Sequence, residues 1–164
     1  MRIFLVLTLL LAMPISCARS NLVHEPSTPY SAVTYPAQIN KEVRVENGIF
    51  GVITDEAQNT FLRSNLVPNR KGQIYGWILL VKTDKEDVLL REELVLPSRG
   101  NWSTENELKV SADGRVGVLE RRARVVDGKV SNWWSIADGD PTGEHLISIS
   151  LDGVPAGQFK FVIR

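Results

Sequence analysis

The chain of 164 residues has one cysteine and only two histidines, and these shortages leave little room for cysteine- or histidine-dependent nucleophilic catalysis. Cys17 has no second thiol with which to form an internal disulfide, and an exported domain of ordinary size does not need one. A Ser-His-Asp triad needs a histidine held within about 3 Å of its nucleophile. His24 lies in a proline-rich stretch with no scaffold to orient it, and no Gly-x-Ser-x-Gly elbow accompanies His145. His145 follows the string Asp-Gly-Asp-Pro-Thr-Gly-Glu and reads as an exposed turn histidine. Neither sign of charge is in excess, with 19 basic against 19 acidic residues, which argues against a nucleic-acid binder or a polybasic membrane patch as the main function. No stretch sustains a helical stripe, and there is no internal repeat. With 43 % hydrophobic and 23 % charged residues, the composition is that of a globular domain rather than a disordered chain.

What is present at the N-terminus is an export signal over residues 1–16. Arg2 supplies a minimal basic region, and the apolar run 3–13 is too short for the roughly 20 residues of a membrane-spanning helix. Pro14 ends that run, and Ile15, Ser16, Cys17 and Ala18 follow. Cys17 stands where bacterial lipoprotein signals place the cysteine that is acylated and becomes the mature N-terminus. The string 14–17 resembles a lipobox at three positions and departs at Pro14, where that motif usually has Leu. The competing readings are ordinary cleavage after Ala18, with Ser16 and Ala18 as the small pair, and a chance cysteine in an uncleaved segment. Lipidation at Cys17 with Ala18 behind it implies the outer membrane in bacteria that sort by that position; cleavage after Ala18 implies a free periplasmic protein.

Residues 17–41 then read as anchor site and tether. Pro26, Pro29 and Pro36 lie among Ser, Thr and Asn without a period of 2 or 3.6, so an extended linker is expected, spanning about 27 Å as a coil and about 80 Å when stretched. The alternative is that part of 17–41 packs onto the body as an edge strand. From residue 42 to 164 the period is 2. Runs at 43–52, 60–67, 74–81, 88–96, 108–110, 115–126, 130–136, 147–151 and 159–163 are separated by turn residues. Asp113-Gly114, Asp127-Gly128 and Asp152-Gly153 sit between alternating runs, the strongest short-range hairpin signal. Gly48 reads as a bulge. The expectation is an all-β domain, an antiparallel two-sheet immunoglobulin-like sandwich of about eight strands, with a closed barrel as the alternative.

Few residues in this body point to chemistry. Asp138, Asp140, Thr142 and Gly143 match positions 1, 3, 5 and 6 of a calcium loop, but Ile149 stands where the bidentate Glu belongs, so a tight turn is expected and no metal. Zinc fares no better, since His145 has no nearby His or Cys partner. Glu92 and Glu93 are adjacent in a strand and face opposite ways, which is wrong for a shared proton. Arg121-Arg122-x-Arg124 is the one basic cluster; Arg122 and Arg124 share a strand face that suits an anionic partner or is simply solvated beside acids. Trp77 is expected in the core. Of the adjacent Trp133 and Trp134 one faces in and one out, and the outward ring near Arg122 and Arg124 suits a recognition patch or sugar platform. Trp102, in the loop 98–106, is a candidate partner contact.

Residues 47–51 (Asn-Gly-Ile-Phe-Gly), Gly72 with Tyr75-Gly76-Trp77, Arg91-Glu92-Glu93 before Leu96-Pro97, Gly139-Asp140-Pro141 with Gly143, Asp152-Gly153 and Phe159-x-Phe161 give the chain a resemblance to uncharacterised bacterial exported proteins sharing a small immunoglobulin-like sandwich. The resemblance covers about three-quarters of the chain, implies the fold and a bacterial source, and carries no catalytic residue with it. The resulting expectation is a non-catalytic, lipid-anchored β-sandwich of the bacterial envelope, without cofactor, binding a protein partner. The alternatives are a soluble periplasmic glycan- or small-ligand-binding module and an exported hydrolase.

Overall fold

The computed structural model describes residues 42–55, 60–102 and 107–164. The export signal, Cys17, His24 and the tether lie outside the described residues. Among the described residues ten strands run in order: β1 (Arg44–Asp55), β2 (Thr60–Arg63), β3 (Leu66–Val67), β4 (Ile74–Lys82), β5 (Asp87–Val95), β6 (Leu108–Val110), β7 (Val116–Arg124), β8 (Lys129–Ser135), β9 (Gly143–Leu151) and β10 (Val154–Ile163). They form two sheets, β2-β1-β4-β8 and β3-β10-β9-β5-β7-β6, packed as a sandwich.

The count exceeds the expected eight chiefly because the run 60–67 is two strands in different sheets. The Ser64 hydroxyl accepts from the Leu66 amide at 3.0 Å and donates to the Leu66 carbonyl at 2.8 Å, folding a local turn where a continuous strand was expected. Residues before it pair with β1, and Leu66 and Val67 pair with the end of β10. That last pairing is parallel, and among the described strands every other pairing is antiparallel.

The three Asp-Gly turns do two different things. Asp152 and Gly153 (φ 50° and 78°) close the β9–β10 hairpin, and the Asp113-Gly114 turn closes β6–β7. Asp127 and Gly128 adopt the same left-handed geometry (φ 50° and 68°), yet only Val126 and Lys129 pair across the turn. The chain then splits. Arg124 stays beside Asp87 of β5, while the Gly128 carbonyl accepts from Val81 and delivers β8 to β4 in the other sheet. A turn residue specifies the reversal, but the partner strands are chosen by what each face must bury. The first irregularity of β1 falls between Val45 and Asn47, just ahead of the expected Gly48.

Between the sheets lie Phe50, Trp77, Leu79, Leu90, Leu94, Ile147, Leu151, Phe161 and Ile163, all at most 2 % exposed. The Phe50 and Phe161 rings stack at 4.6 Å, which sets β1 over β10. On β5 the inward positions are Val88, Leu90, Glu92 and Leu94, so a carboxylate occupies a core position in the middle of the sheet.

Candidate functional site

Glu92 is fully buried, and its hydrogen-bond partners among the described residues come from the opposite sheet. Its Oε2 accepts from Trp77 Nε1 and from Asn132 Nδ2, both at 2.9 Å, and its Oε1 accepts from Trp134 Nε1 at 2.5 Å. Asn132 also relays charge, since its Oδ1 accepts from Arg121 Nη2 at 3.2 Å. Burial pushes the Glu92 carboxyl above its ordinary range, and the bonds from Trp134, Asn132 and Trp77, then the Arg121 charge, pull it back. These contacts clamp the sheets together where Trp77, Asn132 and Trp134 point inward from β4 and β8.

Beside this clamp, towards β6 and the loops 96–102 and 137–140, lies a cavity of about 360 Å³. Trp134 and Trp102 form an aromatic corner, edge to face with ring centres 6.2 Å apart. Trp102 is fixed there because its Nε1 donates to the Gly114 carbonyl at 2.8 Å. Its ring also lies over Gly117, where a Cβ would sit 2.4 Å from Trp102 Cζ3. Tyr75, Arg121, Asn132, Asp140 and His145 supply the polar lining.

His145 is 1 % exposed and belongs to β9, which corrects its expected place in an exposed turn. The strand begins at Gly143, so His145 shares the inward face of Ile147, Ile149 and Leu151 and stacks on Phe161 with ring centres 5.1 Å apart. Its Nδ1 lies 3.0 Å from the Gly143 carbonyl, which can only accept, so Nδ1 carries the proton. Nε2 is buried and has no hydrogen-bond partner among the described residues. Burial lowers the imidazole pKa below its ordinary value, against the bond to Gly143 and the Asp140 charge, and the ring is neutral at pH 7.

The model of the PM0630 beta sandwich domain family matches residues 48–164. The chain belongs to this family. Among solved structures, an immunoglobulin-like protein (PA1606) from Pseudomonas aeruginosa is similar at 18 % identity and a TM-score of 0.53, over 75 % of this chain and 97 % of that one. The likeness shows an immunoglobulin-like fold. More remote, each at a TM-score of 0.43, are the soluble domain of PmoD from Methylocystis sp. and the DNA-bound alkylpurine DNA glycosylase AlkC from Pseudomonas fluorescens. PmoD is 14 % identical over 73 % of this chain and 96 % of its own; AlkC is 11 % identical over 75 % and 30 %. No curated protein matches the chain.

In this PM0630 beta sandwich domain the residues singled out from sequence divide into two groups. Trp102, Trp133 and Trp134 all border the cavity, Trp134 facing in and Trp133 facing out. The Trp133 ring meets Phe61 edge-on at 5.7 Å on the outer surface of the four-stranded sheet. Arg122 and Arg124 are exposed on the outer face of the six-stranded sheet, Arg122 near enough to Asp152 to help hold that carboxyl low. They do not meet the tryptophans. Arg121, which points inward, is the arginine that does. The segment 138–143 forms the expected turn: Asp140 caps the Ala137 amide at 2.8 Å and Asp138 pairs with Lys71. Sequence reasoning missed Glu92 and His145 as site residues. Strand parity carried the signal, since each lies two residues from an apolar core position on its own strand.

Proposed function

We propose that the protein is a non-catalytic binding module of the bacterial cell envelope that takes a small ligand between its two sheets and is held at a membrane by acylated Cys17. The cavity carries this reading. It has the size of a small-molecule site, it is walled by tryptophans fixed through their own indole N–H bonds, and a few polar groups converge on it. The anchor rests on the position of Cys17 behind an apolar run too short to span a bilayer.

Ligand binding is tested by thermal unfolding against a panel of sugars, amines, carboxylates and small apolar compounds. A ligand of the folded state raises the midpoint in proportion to RT ln(1 + [L]/Kd). At least one class raising it saturably, and not in a Trp134→Ala variant, is the expected result; a panel without effect overturns the reading. The anchor is tested by the intact mass of protein extracted from its native envelope, beside a Cys17→Ser variant. Acyl chains on an N-terminal Cys17 are expected, and a mass beginning at Arg19 contradicts the anchor.

A protein partner is a second reading, favoured by Trp133, which is 39 % exposed on the outer surface of the four-stranded sheet. A photoreactive residue at position 133 yields one dominant adduct in intact envelopes if that face docks a partner, and none if it does not.

A further inference from the structure

The identity of the ligand class follows from the chemistry of the lining, on the reading of the cavity as a ligand site. His145 is held from three sides: Nδ1–H is bonded to Gly143, the ring face lies on Phe161, and the backbone is paired with Phe161 of β10. Its remaining nitrogen is therefore a rigid acceptor with a lone pair, buried on a side chain that lines the cavity and without a protein donor among the described residues. A buried acceptor of this kind rewards a ligand that brings an O–H or N–H group and penalises one that does not.

The other walls narrow the choice. Trp134 and Trp102 offer apolar ring surface at right angles, which suits the C–H face of a saturated ring packed against an indole. Asp140 and Glu107 line the cavity, and Glu92 lies behind Asn132, whereas Arg121 is the one cationic group on the lining among the described residues and is already engaged by Asn132. That balance disfavours an anionic ligand. A purely apolar ligand leaves His145 unpaired. A ligand that is neutral, hydroxylated and ring-shaped answers all of these walls together.

We propose that the cavity binds a neutral sugar ring, one of whose hydroxyls donates to Nε2 of His145 while the ring packs against Trp134 and Trp102. A volume of about 360 Å³ lies at the small end of ligand sites and admits about one or two such rings. The same chemistry is offered by a free saccharide and by the end of a glycan chain.

The test titrates the mature protein with N-acetylglucosamine, glucose and a β-1,4-linked N-acetylglucosamine tetramer. Two signals are followed: the ¹⁵N resonance of His145 Nε2 and the dissociation constant. At least one sugar is expected to bind saturably and to move the Nε2 resonance upfield, as a hydrogen-bonded nitrogen does. Binding of the single sugars points to a free saccharide; binding of the tetramer alone points to a chain end. His145→Asn keeps a donor for Gly143 and removes Nε2, and it is expected to weaken binding about tenfold. The wild-type resonance decides the matter even if that variant folds poorly. Sugar binding that leaves the Nε2 resonance unmoved overturns the proposal. If amines, carboxylates or apolar compounds from the panel bind and sugars do not, the sugar assignment fails while the cavity stands as a site. If no compound binds, both fail together.

Discussion

Exchanging the Glu92 carboxylate for an amide changes one atom and reverses the polarity of one buried contact. Oε2 accepts two bonds and Oε1 accepts one, so the side chain of Glu92→Gln keeps more bonds with its carbonyl oxygen in the Oε2 position. Its NH2 group then faces the Trp134 indole N–H, donor against donor. The variant loses one charge-assisted bond and leaves a buried donor unsatisfied, at about 2–3 kcal/mol. Removing that donor with Trp134→Phe costs about 1–2 kcal/mol in the wild type but much less once Gln is present. A double-mutant cycle therefore gives a coupling of about 1–2 kcal/mol between positions 92 and 134. Trp77→Phe, which acts on the other oxygen, is expected to keep most of its cost in the Gln background. Urea unfolding followed by far-ultraviolet circular dichroism measures all four corners of the cycle without depending on the altered tryptophan. Additive costs within about 0.3 kcal/mol, or a Glu92→Gln variant as stable as the wild type, refute the clamp.

Two further outcomes follow from the cavity. Gly117→Ala places a Cβ 2.4 Å from the Trp102 ring, so Trp102 is displaced from Gly114. A loss of about 1–3 kcal/mol and a red-shifted tryptophan emission are expected, and an unchanged spectrum counts against the wall. The folded-state pKa of His145 lies below its ordinary value of 6.5, so between those values the unfolded chain binds more protons and stability rises with pH. That contribution is complete above about pH 6.5 and is lost as pH falls through the folded-state value. The wild type is therefore expected to lose more stability than His145→Asn between about pH 7.5 and 5.5; parallel losses in urea midpoint contradict a buried neutral imidazole.

The two-sheet architecture was legible because alternation of apolar and polar residues is local, and β4, β5, β9 and β10 carry it plainly. The Asp127-Gly128 turn was misleading for a physical reason: a left-handed pair fixes the reversal of the chain, whereas the sheet that receives β8 depends on Trp77, Asn132 and Trp134 reaching Glu92 across the sandwich. The same distance in sequence hid the site. Glu92 reads as one of two adjacent carboxylates until three residues from the other sheet are placed over it. His145 reads as a turn residue if the Asp-Gly-Asp-Pro-Thr-Gly turn is taken past Gly143, whereas parity back from Ile147 puts it inside. The tryptophans were visible as candidates, but which arginine meets them is decided by the inward face of β7, where Arg121 lies and Arg122 does not.

A ligand that enters the space between the sheets must come against its tryptophan walls. The four indole N–H resonances report on it separately, since Trp102, Trp133 and Trp134 border the cavity whereas Trp77 is fully buried outside its lining. On titration with a bound member of the panel, the Trp102 and Trp134 signals are predicted to shift together along one saturation curve while Trp77 holds nearly still. Signals for Trp102 and Trp134 that stay fixed while a ligand is demonstrably bound would contradict a ligand site between the sheets and place binding elsewhere on the sandwich.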